Sequence, residues 1–268
     1  MSRSLVTSFL SAALFASSAP LWAEPVAVRY SEGVVHGFLV LRALDGQILA
    51  DGDLNQVARG GRVTSKLVFR FRDGSYHEET AVFSQSHYFQ LITNHLVQRG
   101  PSFSHPIEMS IDTSQRHVTV RYRDDNGKEK VAVERMDLPP DLANGLISIL
   151  LKNVPPSGQS IMLSTVVATP KPRLVKLEIM RMGEEWFANG RSSHKALHFV
   201  VKVKLGGLTG VVAPLVGKDP PDSHVWILGG VAPAFLKSES PFYPEAPLWR
   251  IELTSPVWPH AIAPQAKR

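Results

Sequence analysis

Leu67-Val68-Phe69-Arg70-Phe71-Arg72-Asp73-Gly74-Ser75-Tyr76-His77-Glu78-Glu79-Thr80 is the stretch whose reading decides the fold. Two runs rich in aromatic and apolar residues flank Asp73-Gly74. Asp-Gly supplies the positive φ that a tight hairpin turn needs. As a two-residue loop it sets Phe71 opposite Tyr76, Phe69 opposite Glu78 and Leu67 opposite Thr80. The other face then carries Arg70 with His77 and Arg72 with Ser75. An apolar face backed by a charged one is the mark of an antiparallel sheet with one wet side. On this register Glu78 stands among Phe69, Phe71 and Tyr76. A carboxylate there must pair, reach the rim or take up a proton.

The same signal recurs on both sides. Asp45-Gly46, Gly60-Gly61 and Asn126-Gly127 each separate two strand-like runs, so the first half reads as an antiparallel meander. Asn126-Gly127, read as a two-residue loop, places Tyr122 opposite Val131 and Val120 opposite Val133. Pro139-Pro140-Asp141 then opens a segment with Leu142, Leu146, Ile149 and Leu150 at helical spacing, and Pro155-Pro156 closes it. Strand patterns return at 160–167, 174–179, 197–205, 225–228 and 249–253, with Asn189-Gly190 as a further turn. The expected fold is mainly β: a long antiparallel meander forming a curved sheet or half-barrel, with one central helix near 140–153.

The ends bound the domain. Arg3, the apolar run Phe9-Leu10-Ser11-Ala12-Ala13-Leu14-Phe15-Ala16, Pro20 and the small residue Ala23 follow the order of a secretory signal peptide over 1–23. The run is too short for a membrane span, which needs roughly 20 apolar residues. A single β domain is expected over 24–258, and a disordered tail over 259–268. The chain has no cysteine, which excludes disulfides, thiolate zinc sites and a lipid-modified N-terminal Cys. The net charge of +5 is interleaved along the chain and gives no nucleic-acid footprint. A periplasmic or secreted location follows from the leader.

No motif assigns chemistry. Gly217-Lys218 lacks the Ser or Thr of a phosphate loop, having Asp219 instead, and Gly210 is misplaced. His194 and His198 would lie roughly 13 Å apart on a strand, too far to share a metal. Asp51-Gly52-Asp53-Leu54-Asn55 opens like a calcium loop but continues with Gln56 and ends at Arg62. There is no Gly-x-Ser-x-Gly elbow and no Ser-x-x-Lys. The sequence therefore points to no catalytic residue, no metal and no cofactor. The uncharged run 205–217 reads as a buried connector or as a lid or membrane-touching loop, with Gly206, Gly207, Gly210, Pro214 and Gly217 giving it freedom.

An exported chain with a long meander, a central helix and further long strands resembles the half-barrel of the LolA/LolB lipoprotein-carrier fold and related exported bacterial domains of unknown function. That resemblance implies a sheet wrapped around an apolar cavity that accepts acyl chains. The expected function is a non-catalytic binding or carrier protein for a lipid or other apolar ligand. Phe69, Phe71, Tyr76, Tyr122, Trp226 and Trp249 would form the wall, and Glu78 a polar anchor. The alternative is an envelope assembly or scaffold protein with a filled core and a protein partner. A hydrolase whose site assembles only in the fold comes third.

Overall fold

The structure, a computed structural model, describes residues 25–124, 126–155, 160–189, 192–204 and 220–254. The leader over 1–23, the glycine-rich segment with Gly206, Gly207, Gly210, Pro214 and Gly217, Gly190 and the tail over 259–268 lie outside the described residues.

The first half holds β1 (Val35–Ala43), β2 (Ile48–Arg59), β3 (Arg62–Phe71), β4 (Tyr76–Gln85), β5 (Phe89–Arg99), β6 (Ile107–Asp112), β7 (His117–Arg123) and β8 (Glu129–Arg135). A short helix, α1 (Ile147–Asn153), follows. The second half holds β9 (Ile161–Val167), β10 (Arg173–Asn189), β11 (Ser192–Lys204), β12 (Ser223–Leu228), β13 (Ala234–Ser240) and β14 (Trp249–Leu253). They form one 14-stranded sheet in the order β8-β7-β6-β5-β4-β3-β2-β1-β14-β13-β12-β11-β10-β9. The named strand pairs are antiparallel, and β1 meets β14 between the two meanders. The sheet curves without closing, and β8 and β9 are its edges.

The turns explain the registers. Gly60-Gly61 is a two-residue loop with φ of 56° and 75°, and Arg59 pairs with Arg62. The Asp-Gly and Asn-Gly turns are built differently. Phe71 N–H donates to Ser75 O, and Gly74 N–H to Phe71 O, so the loop is Arg72-Asp73-Gly74, with Gly74 at φ 86°. This is the three-residue connection, a turn followed by a left-handed residue. The same hydrogen bonds recur from Ala43 to Gln47 and from Asp124 to Lys128.

Each extra loop residue moves the pairing by one position, and a slip of one sends side chains to the opposite face. The expected registers are corrected accordingly. Phe69 pairs with His77, and Val68 with Glu78. Tyr122 pairs with Lys130, and Val120 with Ala132.

The concave side carries the main core. Phe83, Met109, Ile111 and Val118 from the first meander meet Leu163, Ile179, Phe199 and Ile227 from the second, with Leu146, Leu150 and Leu151 around α1 between them. The helix is shorter than the expected 140–153. Asp141 and Ala143 spend their backbone groups on Ser164 of β9. Asn144 likewise bonds both backbone groups of Val166 through its side chain. The segment before the helix thus covers one sheet edge, as natural sheets require of a long edge.

Candidate functional site

Strand pairing lays the inward-facing side chains out in rows. One row runs Gly52, Phe69, His77, Gln98, Ile107 and Tyr122 across β2 to β7. The next runs Leu54, Leu67, Glu79, Leu96, Met109 and Val120.

Of the expected wall residues, Phe69, Phe71 and Trp249 come together. Phe71 and Trp249 have ring centroids 5.5 Å apart. Phe103, Phe242 and Tyr243 complete the cluster. Phe103 lies edge-on to Phe71 at 5.4 Å, and Phe242 stands 5.1 Å from Trp249. These three come from loops, where no periodic signal marks them. The rings bury one another: Phe69 is 0% exposed, and Phe71 and Trp249 7% each.

Tyr122 packs partly buried on the main core, in the same row as Phe69 but across the sheet on β7. Tyr76 and Glu78 do not join it. They share the outer face, where the Tyr76 hydroxyl donates to the Glu78 carboxylate and Lys66 Nζ lies 2.9 Å away. Burial pushes the Glu78 carboxyl up, but the Tyr76 hydroxyl and the Lys66 ammonium outweigh it and hold it below its ordinary range.

Trp226 is also outside the group. It lies on the outer face, with Val225 and Ile227 turned inward. His198 stacks on its indole at 4.4 Å, Lys237 Nζ sits 4.0 Å from its ring centre, and its indole N–H donates to Glu185. Both ring faces are thus occupied by neighbours. Burial lowers the His198 pKa, against the pull of Glu185.

The inward polar positions of β4 are His77 and Glu79. Gln98 Nε2 lies 3.3 Å from His77 Nδ1 and donates to the Phe242 carbonyl at 2.8 Å. Burial lowers the His77 pKa to about 4, with a small opposing pull from Glu78. Glu79 accepts from the Asn94 amide at 2.9 Å, and burial raises its carboxyl above the ordinary value despite that bond. Asn94 Oδ1 is buried without a partner. The parity of Ala81 and Phe83 further along β4 carries the signal that these odd positions face inward.

One buried constellation has the residue types of a serine–lysine pair. Ser164 Oγ lies 2.7 Å from Lys176 Nζ, and Asp141 accepts from both. A nucleophilic serine needs a base to take its proton. Here the Asp141 carboxylate accepts from both side chains, and Ser164 is 0% exposed. The trio fastens the segment before α1 to β9 and β10. Among the described residues no group of three or more His, Asp or Glu is arranged to hold a metal ion.

Two open grooves mark the surface. One, of about 470 Å³, has Ile48, Leu49 and Phe71 among its apolar lining and Arg42, Arg72 and Ser102 among its polar lining. The other, of about 330 Å³, lies among polar residues including Thr93, His95, Ser110, Asp112 and His117. No described helix is long and apolar enough to cross a membrane.

No protein-family model and no curated protein matches the chain. A search of solved structures finds a β-barrel-like protein of the domain of unknown function DUF1849 from Brucella abortus. It has 8% sequence identity and a TM-score of 0.45, over 84% of this chain and 98% of that one.

Proposed function

We propose that this is a non-catalytic extracytoplasmic protein that works by protein contact, as an assembly or scaffold component of the cell envelope. The observation that carries this reading is the mutual burial of Phe69, Phe71 and Trp249 with Phe103 and Phe242. Rings that cover one another contribute most of their area to folding rather than to a ligand. Apolar surface faces outward instead, at Trp186, Val131 and Val133. An exposed tryptophan on a structured strand is a residue type that protein interfaces favour. The leader-like start supports an extracytoplasmic location.

The test is native purification from a cell envelope, then denaturation in organic solvent and mass spectrometry of what is released. The expected result is no stoichiometric lipid, and no saturable uptake of a fluorescent fatty acid by the purified protein. A stoichiometric acyl lipid would overturn the reading.

A carrier role is the second reading, favoured by the groove beside Phe71. Ile48 and Leu49 would take an acyl chain, and Arg42 and Arg72 an anionic head. If it holds, Arg72→Ala and Phe71→Ala each weaken fatty-acid uptake while Trp249→Phe does not.

A further inference from the structure

The two edges of the sheet are treated differently. Residues 141–144 cover β9, whereas β8 pairs with β7 on one side and, among the described residues, with no strand on the other. Its sequence is Glu129-Lys130-Val131-Ala132-Val133-Glu134-Arg135. Val131 and Val133 are each 60% exposed. An edge of this kind is a template for another strand.

The hydrogen-bond pattern says which groups are on offer. Asp124 N–H donates to Lys128 O, and Met136 N–H to Arg116 O. In an antiparallel ladder bonded and non-bonded pairs alternate. Lys130, Ala132 and Glu134 therefore bond to β7, and the backbone groups of Glu129, Val131, Val133 and Arg135 point to the free side.

We propose that the free edge of β8 pairs antiparallel with β8 of a second copy of this chain, about a two-fold axis at Ala132. Under that symmetry Val131 meets Val133, Lys130 meets Glu134 and Glu129 meets Arg135 of the second copy. Each charge meets its opposite. The backbone phase agrees as well, because Val131 and Val133 both point outward and so form a bonded pair, as an isologous contact requires.

The charges also choose the partner. Lys130 and Glu134 lie on the concave side of β8, where a foreign strand would oppose them with whatever it carries. A charge there blocks most strands and admits one with the complementary charge at the matching place. Glu129 and Lys130 make long pairs of 3.5 Å with Arg123 and Asp124. Two seven-residue strands bury less than the roughly 1,200–2,000 Å² of stable complexes, so the association is weak and concentration-dependent.

Sedimentation of the full chain, from low micromolar to millimolar concentration, tests it. The expected weight-average mass rises from monomer toward dimer. Val131→Pro removes an outward N–H while leaving the bonds to β7 intact, and should keep the mass at monomer with an unchanged circular dichroism spectrum. Lys130→Glu and Glu134→Lys should each abolish the rise, and the double swap should restore it. A wild-type mass that stays at monomer throughout overturns the proposal. So does an association that Val131→Pro leaves intact, or one that the double swap does not recover.

Discussion

His77 stands directly across from Phe69 in the β3–β4 pair, and their ring centroids are 6.1 Å apart. A titratable ring thus sits inside the aromatic cluster, enclosed by Phe103 and Phe242 as well.

Acid should weaken the fold through this residue. Burial sets the His77 pKa at about 4, against an ordinary 6.5, so the unfolded chain takes the proton first. Stability from this group is full above about pH 6.5 and falls as the pH drops toward 4, by up to roughly 3 kcal/mol. Denaturant unfolding of the wild type and of His77→Gln across that range checks it. The variant should lose less stability on acidification.

Glu79 should act in the opposite sense. Its raised carboxyl pKa means the folded state holds the proton more tightly than the unfolded chain. Its contribution is present in acid and is lost as the pH rises. Glu79→Gln should therefore raise the urea midpoint at about pH 8, with the gain shrinking by about pH 5. A lower midpoint for the variant at both values would contradict this account.

Gly52 lies beneath the Phe69 ring. A Cβ there would come within 2.3 Å of Phe69 Cε1 and 2.8 Å of Leu39 Cβ. Gly52→Ala should cost roughly 1–3 kcal/mol through forced repacking. Gly52→Ala combined with Phe69→Leu should cost less than the sum of the two changes, because the second relieves the clash made by the first. Additive losses in a thermal unfolding cycle would show that the cost of the added methyl does not come from the Phe69 ring.

Asp141 is buried at the centre of the Ser164–Lys176 trio. Asp141→Ala should cost roughly 3–5 kcal/mol, since it strands a partly buried ammonium. Adding Lys176→Met should recover much of that. Hydrogen exchange at Ala143 should accelerate in the single variant and slow again in the double, because this pair holds the segment to β9.

Much of this was legible in the residues. The turn signals, the parity of Leu67, Phe69 and Phe71, and the antiparallel curved sheet with its helix all follow from the chain. What misled was loop length. Asp-Gly and Asn-Gly fit a two-residue loop and equally the last positions of a three-residue one, and the difference decides which face every partner takes. Glu78 drew attention that belonged to Glu79. The odd positions Ala81 and Phe83 would have settled it. Val131 and Val133 alternate like core residues, but their partners Arg121 and Thr119 put them on the outer face of the sheet. Trp226 is outward because Val225 and Ile227 claim the core. Its own cover, His198 and Lys237, comes from neighbouring strands that only the fold brings near. Phe103, Phe242 and Tyr243 sit in loops, where alternation says nothing.

The meeting of β1 with β14 has a consequence for connectivity. Read from β9 through β14 and then from β1 through β8, the sheet is a plain up-and-down ribbon in which every strand lies beside the next. The chain is a circular permutation of that ribbon, opened at its centre and rejoined through the connection that carries α1. β1–β14 is the strand pair that must wait for almost the whole chain. A permutant opened near residue 137 and joined between Thr254 and β1 would turn that distant pair into a local one. It should fold faster while keeping the same core, since loop closure between distant strands is what slows β proteins.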